Sequence, residues 1–544
     1  MTQPPNSFGE FDYVIAGGGT AGCVMANRLS ADPDVTVLLL EAGGKDDWIW
    51  IHIPIGYLKC INNPRTDWCY KTEAEPGLNG RSIIYARGKV LGGCSSINGM
   101  LYLRGQTRDY DEWAQLTGDS RWNWDNVLPV FKQSEDYWGG ADDKHGNQGE
   151  WRVEQQRLHW EILDRFIEAA EQAGIPFSHD YNRGSNFGIG HFEVNQKKGV
   201  RWNASKAFLR PVQQRPNLKV VTGALIDKVM LEGKVAHGVE FSLGGTTHRA
   251  RARIETVLTA GAVGSPIILQ RSGIGPGALL QQRGVPLVQD LPGVGGNLQD
   301  HLQLRTIFKV QGITTLNQRA NSLWGKAMMG LEYALFRSGP LSMAPSQLGG
   351  FFHSSEEVET PDLEFHVQPL SLDKFGDPLH SFPAFTASVC NLRPTSRGHV
   401  HIRDRNPASA PIITPRYLST DNDRAIAAQA LRLTRQIVAQ PALAPYQPRE
   451  HLPGVAAQSE AELVHAAGNI GTTIFHPTCT CAMGHAIDAD AVVDPELRVR
   501  GIGQLRVVDA SIMPTITSGN TNSPTIMIAE RGAALIRAAR RQHV

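Results

Sequence analysis

Three residues able to carry chemistry, His476, Cys479 and Cys481, crowd into one short segment, FHPTCTCAMG (Phe475 to Gly484). They would suit a metal site, a thiol redox pair or a proton-accepting base. Structural zinc sites normally use pairs of CxxC spacing with a second pair elsewhere, and this chain has no second pair. CxC also lacks the spacing of active redox dithiols. An imidazole that titrates near neutrality is the natural acceptor of an alcohol proton. By residue type alone, a lone histidine is more often a buried, hydrogen-bonded core residue. The segment does not choose between base and core.

A second constellation is the glycine spacing of GGGTAG, with Gly17, Gly19 and Gly22 in GxGxxG register. Around it the pattern reads as a strand (Tyr13 to Ala16), the glycine turn, a helix (Ala21 to Ser30) and a strand (Thr36 to Glu41). Glycines allow the tight turn and close approach to a pyrophosphate, whose charge sits at the helix N-terminus. Glu41 ends the second strand where an acid takes ribose hydroxyls and disfavours the extra phosphate of NADP. The ligand is then NAD or FAD. A further glycine-rich run, ARGKVLGGCSSINGMLYLRG (Ala86 to Gly105), offers backbone amides against which a flat ring could lie.

The elements that must position these groups belong to a chain of 544 residues, long enough for two or more closely packed units. The first strand is apolar without alternation, as in a parallel sheet covered by helices. The fold class is therefore α/β at its start. Residues 120–150 show no clear period and read as a long ordered loop. Asn217 to Gly245 reads as alternating strand and turn, and Glu255 to Gly275 as strand, turn and helix, so the first domain resumes after an insertion. From about Ile313 to Pro453 the pattern reads as a second, mainly antiparallel sheet with helices. The expected division is 1–160, 200–312 and 466–544 for a nucleotide-binding domain, with 161–199 and 313–465 for a substrate-binding domain.

Lys plus Arg and Asp plus Glu both total 53, so no net field selects nucleic acid. Seven cysteines, an odd number, suit reduced thiols and a cytoplasmic location. The opening MTQPPNSFGE lacks the regions of a signal peptide, and no apolar run is long enough to span a bilayer. Peripheral membrane contact is compatible with this pattern.

The glycine-rich run from Gly88 to Gly105 and the segment GAVGSPIILQRSGIG (Gly261 to Gly275) resemble the two signatures of the glucose-methanol-choline (GMC) flavoprotein oxidoreductases. GVGGNLQDHL (Gly293 to Leu302) and LRVVDASIMPTITSGNTNSPTIMIAERGAALI (Leu505 to Ile536) extend the resemblance to essentially the whole chain. It implies a Rossmann-like FAD-binding domain with an α+β substrate-binding domain. Cys94 departs from the first signature, where a glycine, serine or threonine is usual. We expect it near the flavin as a small hydrophobe. Relatives that attach FAD covalently use a histidine just before the asparagine that is Asn98 here. Ile97 stands there, which implies non-covalent FAD.

The resemblance implies FAD contacts in the first strand–turn–helix at Gly17, Gly19, Thr20, Ala21 and Gly22, then at Glu41 and Ala42. It carries further contacts onto Trp68, Arg87, Gly92, Gly93, Asn98, Gly99 and Met100, and onto Ile226, Asp509, Ala510 and Asn522. It assigns the base to His476 and its hydrogen-bonding partner to Asn520, with no metal. Phe475, with Ile474, together with Gln303 and His366, is a candidate for the substrate pocket. The implied activity is oxidation of a primary alcohol, with electrons passed to a quinone-type or dye acceptor. Oxygen-using alcohol oxidases of the aryl-alcohol or hydroxymethylfurfural type, choline dehydrogenases and non-redox hydroxynitrile lyases share the pattern. A non-catalytic flavin binder would need neither His476 nor Asn520.

Choline-specific relatives carry a glutamate two residues after the histidine of a QDH motif. Here the motif is Gln299, Asp300 and His301, and Gln303 takes that position. A buried quaternary ammonium needs an anion or an aromatic cage. Trp324, Phe351, Phe352 and Phe365 are the aromatic candidates for a cage. The amide at 303 favours neutral aliphatic or aryl alcohols over choline.

Overall fold

The structure, a computed structural model, describes residues 6–373 and 377–543. Val14 to Ala16 and Val37 to Leu40 have no exposed surface, because both strands run through the interior of one sheet. That sheet has the order Leu218–Thr222, Val37–Glu41, Asn6–Ala16, Thr246–Leu258, Val235–Leu243, Ala224–Glu232, with Leu505–Val507 also paired to Thr246–Leu258. The nucleotide-binding side is parallel. The two strands beyond Thr246–Leu258 are antiparallel.

The βαβ unit read from the pattern is present, with its helix at Thr20–Leu29 and its second strand at Val37–Glu41. Its first strand starts at Asn6 rather than Tyr13, since pairing with Thr246–Leu258 holds the polar residues ahead of the apolar core. Residues 1–5 of the MTQPPNSFGE stretch lie outside the described residues.

A second sheet is antiparallel throughout, in the order Arg449–Leu452, Leu302–Lys309, Ala384–Asn391, Leu363–Gln368, Leu348–Phe352, Gly188–His191, with Gly471–Thr473 paired to Leu302–Lys309. This confirms the mainly antiparallel expectation. Leu302–Lys309 enters this sheet ahead of the composition change at Ile313, and the helix Glu161–Gln172 packs Ile162, Leu163 and Phe166 into the same core. Register puts Gln303, Cys390 and Glu364 side by side, and next to them Arg305, Ser388 and His366. Strand alternation then sends all six to one face.

One expectation fails. Residues 120–150 are not a long loop: Trp124–Ser134 is a helix, followed by strands Glu135–Tyr137 and Trp151–Val153. Asn123 caps the helix by accepting from the Asn126 amide at 3.0 Å. Trp124, Val127 and Phe131 recur at helical spacing and are buried. Pro129 and the bulky aromatic residues obscured that period in the sequence.

Candidate active site

The glycine turn is shaped by what approaches it. A side chain at Gly22 would stand 1.9 Å from the Gly17 carbonyl oxygen, whereas one at Gly19 would meet no protein atom nearer than 3.9 Å. Gly22 therefore lets helix and strand close up, and Gly19 borders open space. Gly19 is also the N-cap of Thr20–Leu29 and offers no side-chain cap, which leaves the first amides of the helix available to an anion. Asn522 begins a second helix beside it and accepts a hydrogen bond from the Thr20 hydroxyl at 2.9 Å.

A single cavity runs from this turn to His476. Gly17, Gly19, Thr20, Ala21, Glu41 and Ala42 line its nucleotide end. Trp68, Arg87, Gly93, Asn98, Gly99 and Met100 line the middle, with Ile226, Asp509, Ala510 and Asn522 opposite. Phe475, His476, Asn520, Gln303 and His366 close the far end. Two expected contacts do not line it. Gly22 lies behind the turn, and Gly92, at φ +85°, donates its amide to the Gly18 carbonyl and supports the wall from outside. Thr259, Arg271, Pro345 and Ser346 line the cavity without having been singled out from the sequence. Of these, Arg271 lies within a signature segment, but nothing in its spacing marks it as cavity-facing.

Glu41 accepts from the Gly18 amide at 2.8 Å and the Gly43 amide at 2.7 Å. Burial nevertheless pushes its carboxyl up to about 7, against the lowering effect of those two amides and Lys89. Asn520 Oδ1 and Asn522 Nδ2 are buried without a hydrogen-bond partner among the described residues. Such atoms are costly unless a ligand satisfies them. Two helix starts, an acid at the ribose position and two orphaned side-chain amides, one beside Thr20 and one beside His476, fit a dinucleotide that would extend to a ring near His476. Cys94 lines the cavity as expected, and so does Ile97.

The chemistry concentrates at His476. Its Nδ1 is 3.0 Å from Nδ1 of His301, and its Nε2 is 3.0 Å from Nδ2 of Asn520. The His301 Nε2 lies 3.1 Å from the Leu392 carbonyl, which accepts only, so that nitrogen carries the proton. Burial holds the His301 imidazole below its ordinary pKa and so neutral, leaving Nδ1 as a lone pair. The proton between the two rings must then sit on His476 Nδ1. His476 is thereby left with a lone pair at Nε2, facing the cavity and the Asn520 amide. Its own pKa is held well below the usual value, first by burial and then by the nearby His301, His366 and Arg87.

The backbone fixes this ring from below. Asp300 accepts from the His476 amide at 2.8 Å and from the Thr473 hydroxyl at 2.6 Å, and Tyr417 donates to the same carboxylate. His301 belongs to the QDH motif, two residues before Gln303. Nothing local in the sequence shows that it meets His476.

The two cysteines sit elsewhere. Cys479 and Cys481 are fully buried members of the core of the first sheet. Burial raises Cys479 to about 12 and lifts Cys481 well above its ordinary value, so both remain thiols. The aromatic cage does not form. Trp324 is exposed, Phe351, Phe352 and Phe365 are packed in cores, and none of the four lines the cavity.

Two family profiles, both described as GMC oxidoreductase, match residues 11–303 and 394–529. The chain is 40% identical to human mitochondrial choline dehydrogenase, over 97% of this chain and 90% of that protein. It is also 40% identical to an alcohol dehydrogenase [acceptor] of Pseudomonas putida, over 97% of this chain and 95% of the relative. Pyridoxine 4-oxidase from Mesorbium loti superposes with a TM-score of 0.87 at 33% identity, covering 98% of this chain and 99% of that one. The glycine cradle, the two-sheet fold and these matches converge: the chain belongs to the GMC oxidoreductase family and is an FAD-dependent oxidoreductase acting on CH–OH donors.

Proposed function

We propose that the protein oxidises a neutral primary alcohol to the aldehyde, with His476 as the base. The observation that carries this reading is the His476 Nε2 lone pair, held 3.0 Å from the Asn520 amide at the end of the cavity. The alcohol hydroxyl gives its proton to Nε2, and the carbon gives up a hydride as the C=O bond forms. FAD, when bound, supplies the hydride acceptor. Asn520 Nδ2, 3.0 Å from His476 Nε2, would donate to the substrate oxygen and stays neutral throughout. His301 takes a share of the positive charge that develops on His476 through the hydrogen bond between the rings.

Gly19, Thr20 and Asn522 would hold the pyrophosphate, Glu41 a ribose, and the backbone from Asn98 to Met100 the ring. With Ile97 in the wall where a covalent link would need histidine, FAD is held non-covalently. Acid precipitation tests this: yellow colour retained in the protein pellet would sink it. The acceptor is a quinone-type or dye molecule in place of oxygen, and the reaction belongs to the cytoplasm. The domain division at 160, 199, 312 and 465 follows the same reading, with Leu302–Lys309 and Gly471–Thr473 as the segments by which the nucleotide-binding part reaches into the second sheet.

Neutral substrates are favoured because the carboxylates lining the cavity, Glu41 and Asp509, both lie at its cofactor end. The substrate end presents Gln303, His366 and Gln368. Choline oxidation is the second reading. It draws on the name of the human relative and on Glu364, whose buried carboxylate lies 3.2 Å from His366 Nε2, one residue behind the wall. Anaerobic mixing tests the activity itself: a neutral primary alcohol should bleach the yellow enzyme, and an unchanged spectrum would overturn the reading.

A further inference from the structure

The helix Leu323–Phe336 turns its apolar side outward. Among its described residues only Tyr333 is buried. Trp324, Met328, Leu331 and Leu335 recur at i, i+4, i+7 and i+11, so they form one stripe on the side opposite Tyr333. Trp324 is 75% exposed and Leu335 64%, and Leu323 beside them is 85% exposed. Exposed apolar area of this continuity marks a contact surface.

Charge says which kind. The exposed side chains of Arg157, Lys197, Lys198, Arg319, Lys326 and Arg337 surround the helix. Arg157 donates to the carbonyls of Phe336 and Arg337 at its C-terminal end. The turn carrying Lys197 and Lys198 is adjacent, since a side chain at Gly199 would stand 2.0 Å from the Arg337 carbonyl oxygen. None of the six forms a salt bridge among the described residues; of the neighbouring acids, Glu154 and Glu332 are partly buried, and the exposed ones are Glu161, next to the Trp160 on which Arg319 stacks, and Asp373, held by His380. In a chain whose charges sum to zero this is a local excess of cations. A second copy docked by two-fold symmetry would bring two such collars face to face. An anionic lipid surface would neutralise them.

We propose that the outward face of Leu323–Phe336 docks on a membrane surface carrying anionic lipids. The helix has 14 residues, or about 21 Å at ~1.5 Å per residue, too short to cross a hydrocarbon core of ~30 Å. It lies in the interface, with Trp324 and the leucines inserted and the cations at headgroup level. The chain leaving it runs through buried Pro340, Ser342, Met343 and Ala344 to Pro345 and Ser346, which line the catalytic cavity. Membrane binding needs no turnover, so its test is separate from that of the proposed activity.

The experiment is flotation of the full-length holoenzyme with vesicles of phosphatidylcholine alone and of phosphatidylcholine mixed with phosphatidylglycerol. The wild type should float with the mixed vesicles, far less with the neutral ones, and less again in high salt. The double variant Leu331→Glu/Leu335→Glu should lose binding at least tenfold with turnover of a water-soluble alcohol unchanged. Lys197→Glu/Lys326→Glu, which leaves the apolar stripe intact, should lose binding to the anionic vesicles alone. A wild type that stays in the bottom fraction with both vesicles overturns the proposal. Equal flotation with both overturns the anionic assignment. Conversion of a dimer to a monomer by Leu331→Glu/Leu335→Glu, without flotation of the wild type, would make the face an interface between copies.

Discussion

His301 and His476 face each other through their Nδ1 atoms at 3.0 Å, and only one of those atoms can hold a proton. The Leu392 carbonyl decides which, because it fixes the His301 proton at Nε2. The consequence is a catalytic imidazole whose lone pair is directed at the cavity before any substrate arrives.

Removing the base gives the first prediction. His476→Ala should slow flavin reduction by about 10² to 10⁴-fold while FAD stays bound, since the ring acts on the substrate proton. Asn520→Ala should cost less, because it removes one hydrogen bond to the oxygen. Stopped-flow reduction under anaerobic conditions measures both, and an unaffected rate in His476→Ala would remove it from the mechanism.

The second concerns the pairing itself. His301→Leu offers no acceptor to His476 Nδ1 and frees the ring to place its proton on Nε2, so reduction should fall on the order of 10-fold or more. His301→Gln keeps an acceptor toward His476 and a donor toward Leu392, and should recover most of the rate. Equal loss in the two variants, at equal thermal stability, would show that His301 only fills space.

The third follows from the direction of the His476 shift. A lowered pKa keeps the neutral, proton-accepting form present down to unusually acidic pH. The reduction rate should therefore stay level through neutrality and fall only below the ordinary histidine range. An acid limb centred at or above ~6.5, the unperturbed value, would contradict the assignment.

The cradle supplies the fourth. Gly19→Val should abolish FAD binding, because its side chain enters the space that the protein leaves open at this residue. Flavin content after purification is the readout, and normal stoichiometry would reduce the turn to a packing element.

The last concerns substrate charge. With Gln303 on the cavity wall, kcat/KM for benzyl alcohol or a medium-chain alkanol should exceed that for choline, and Gln303→Glu should shift the ratio toward choline. A wild type that prefers choline would point to Glu364, acting from behind His366, as the replacement charge.

What the sequence determined by itself is local. The GxGxxG turn, its flanking strand and helix, and Glu41 lie within thirty residues of one another, where spacing alone dictates geometry. The pairing of His476 with Asn520 is not local: the family resemblance, not spacing, implied it, and the structure brings the two to 3.0 Å. The same reading missed the helix Trp124–Ser134, whose period is hidden by a proline, and its four aromatic candidates for a cage share only composition.

Tertiary structure alone decided the rest. His301 and His476 are 175 residues apart, and their contact depends on which strands of the second sheet are neighbours. The choice of tautomer depends on a carbonyl at Leu392, delivered by yet another strand end. Gln303 and His366 reach the cavity because an antiparallel register places them on one face, and a slip of one residue would turn both away. Long-range register is set by the total burial of both sheets. No short stretch of the chain carries enough of that burial energy to reveal it, which is why chemistry that resides in one segment could be read and chemistry shared between segments could not.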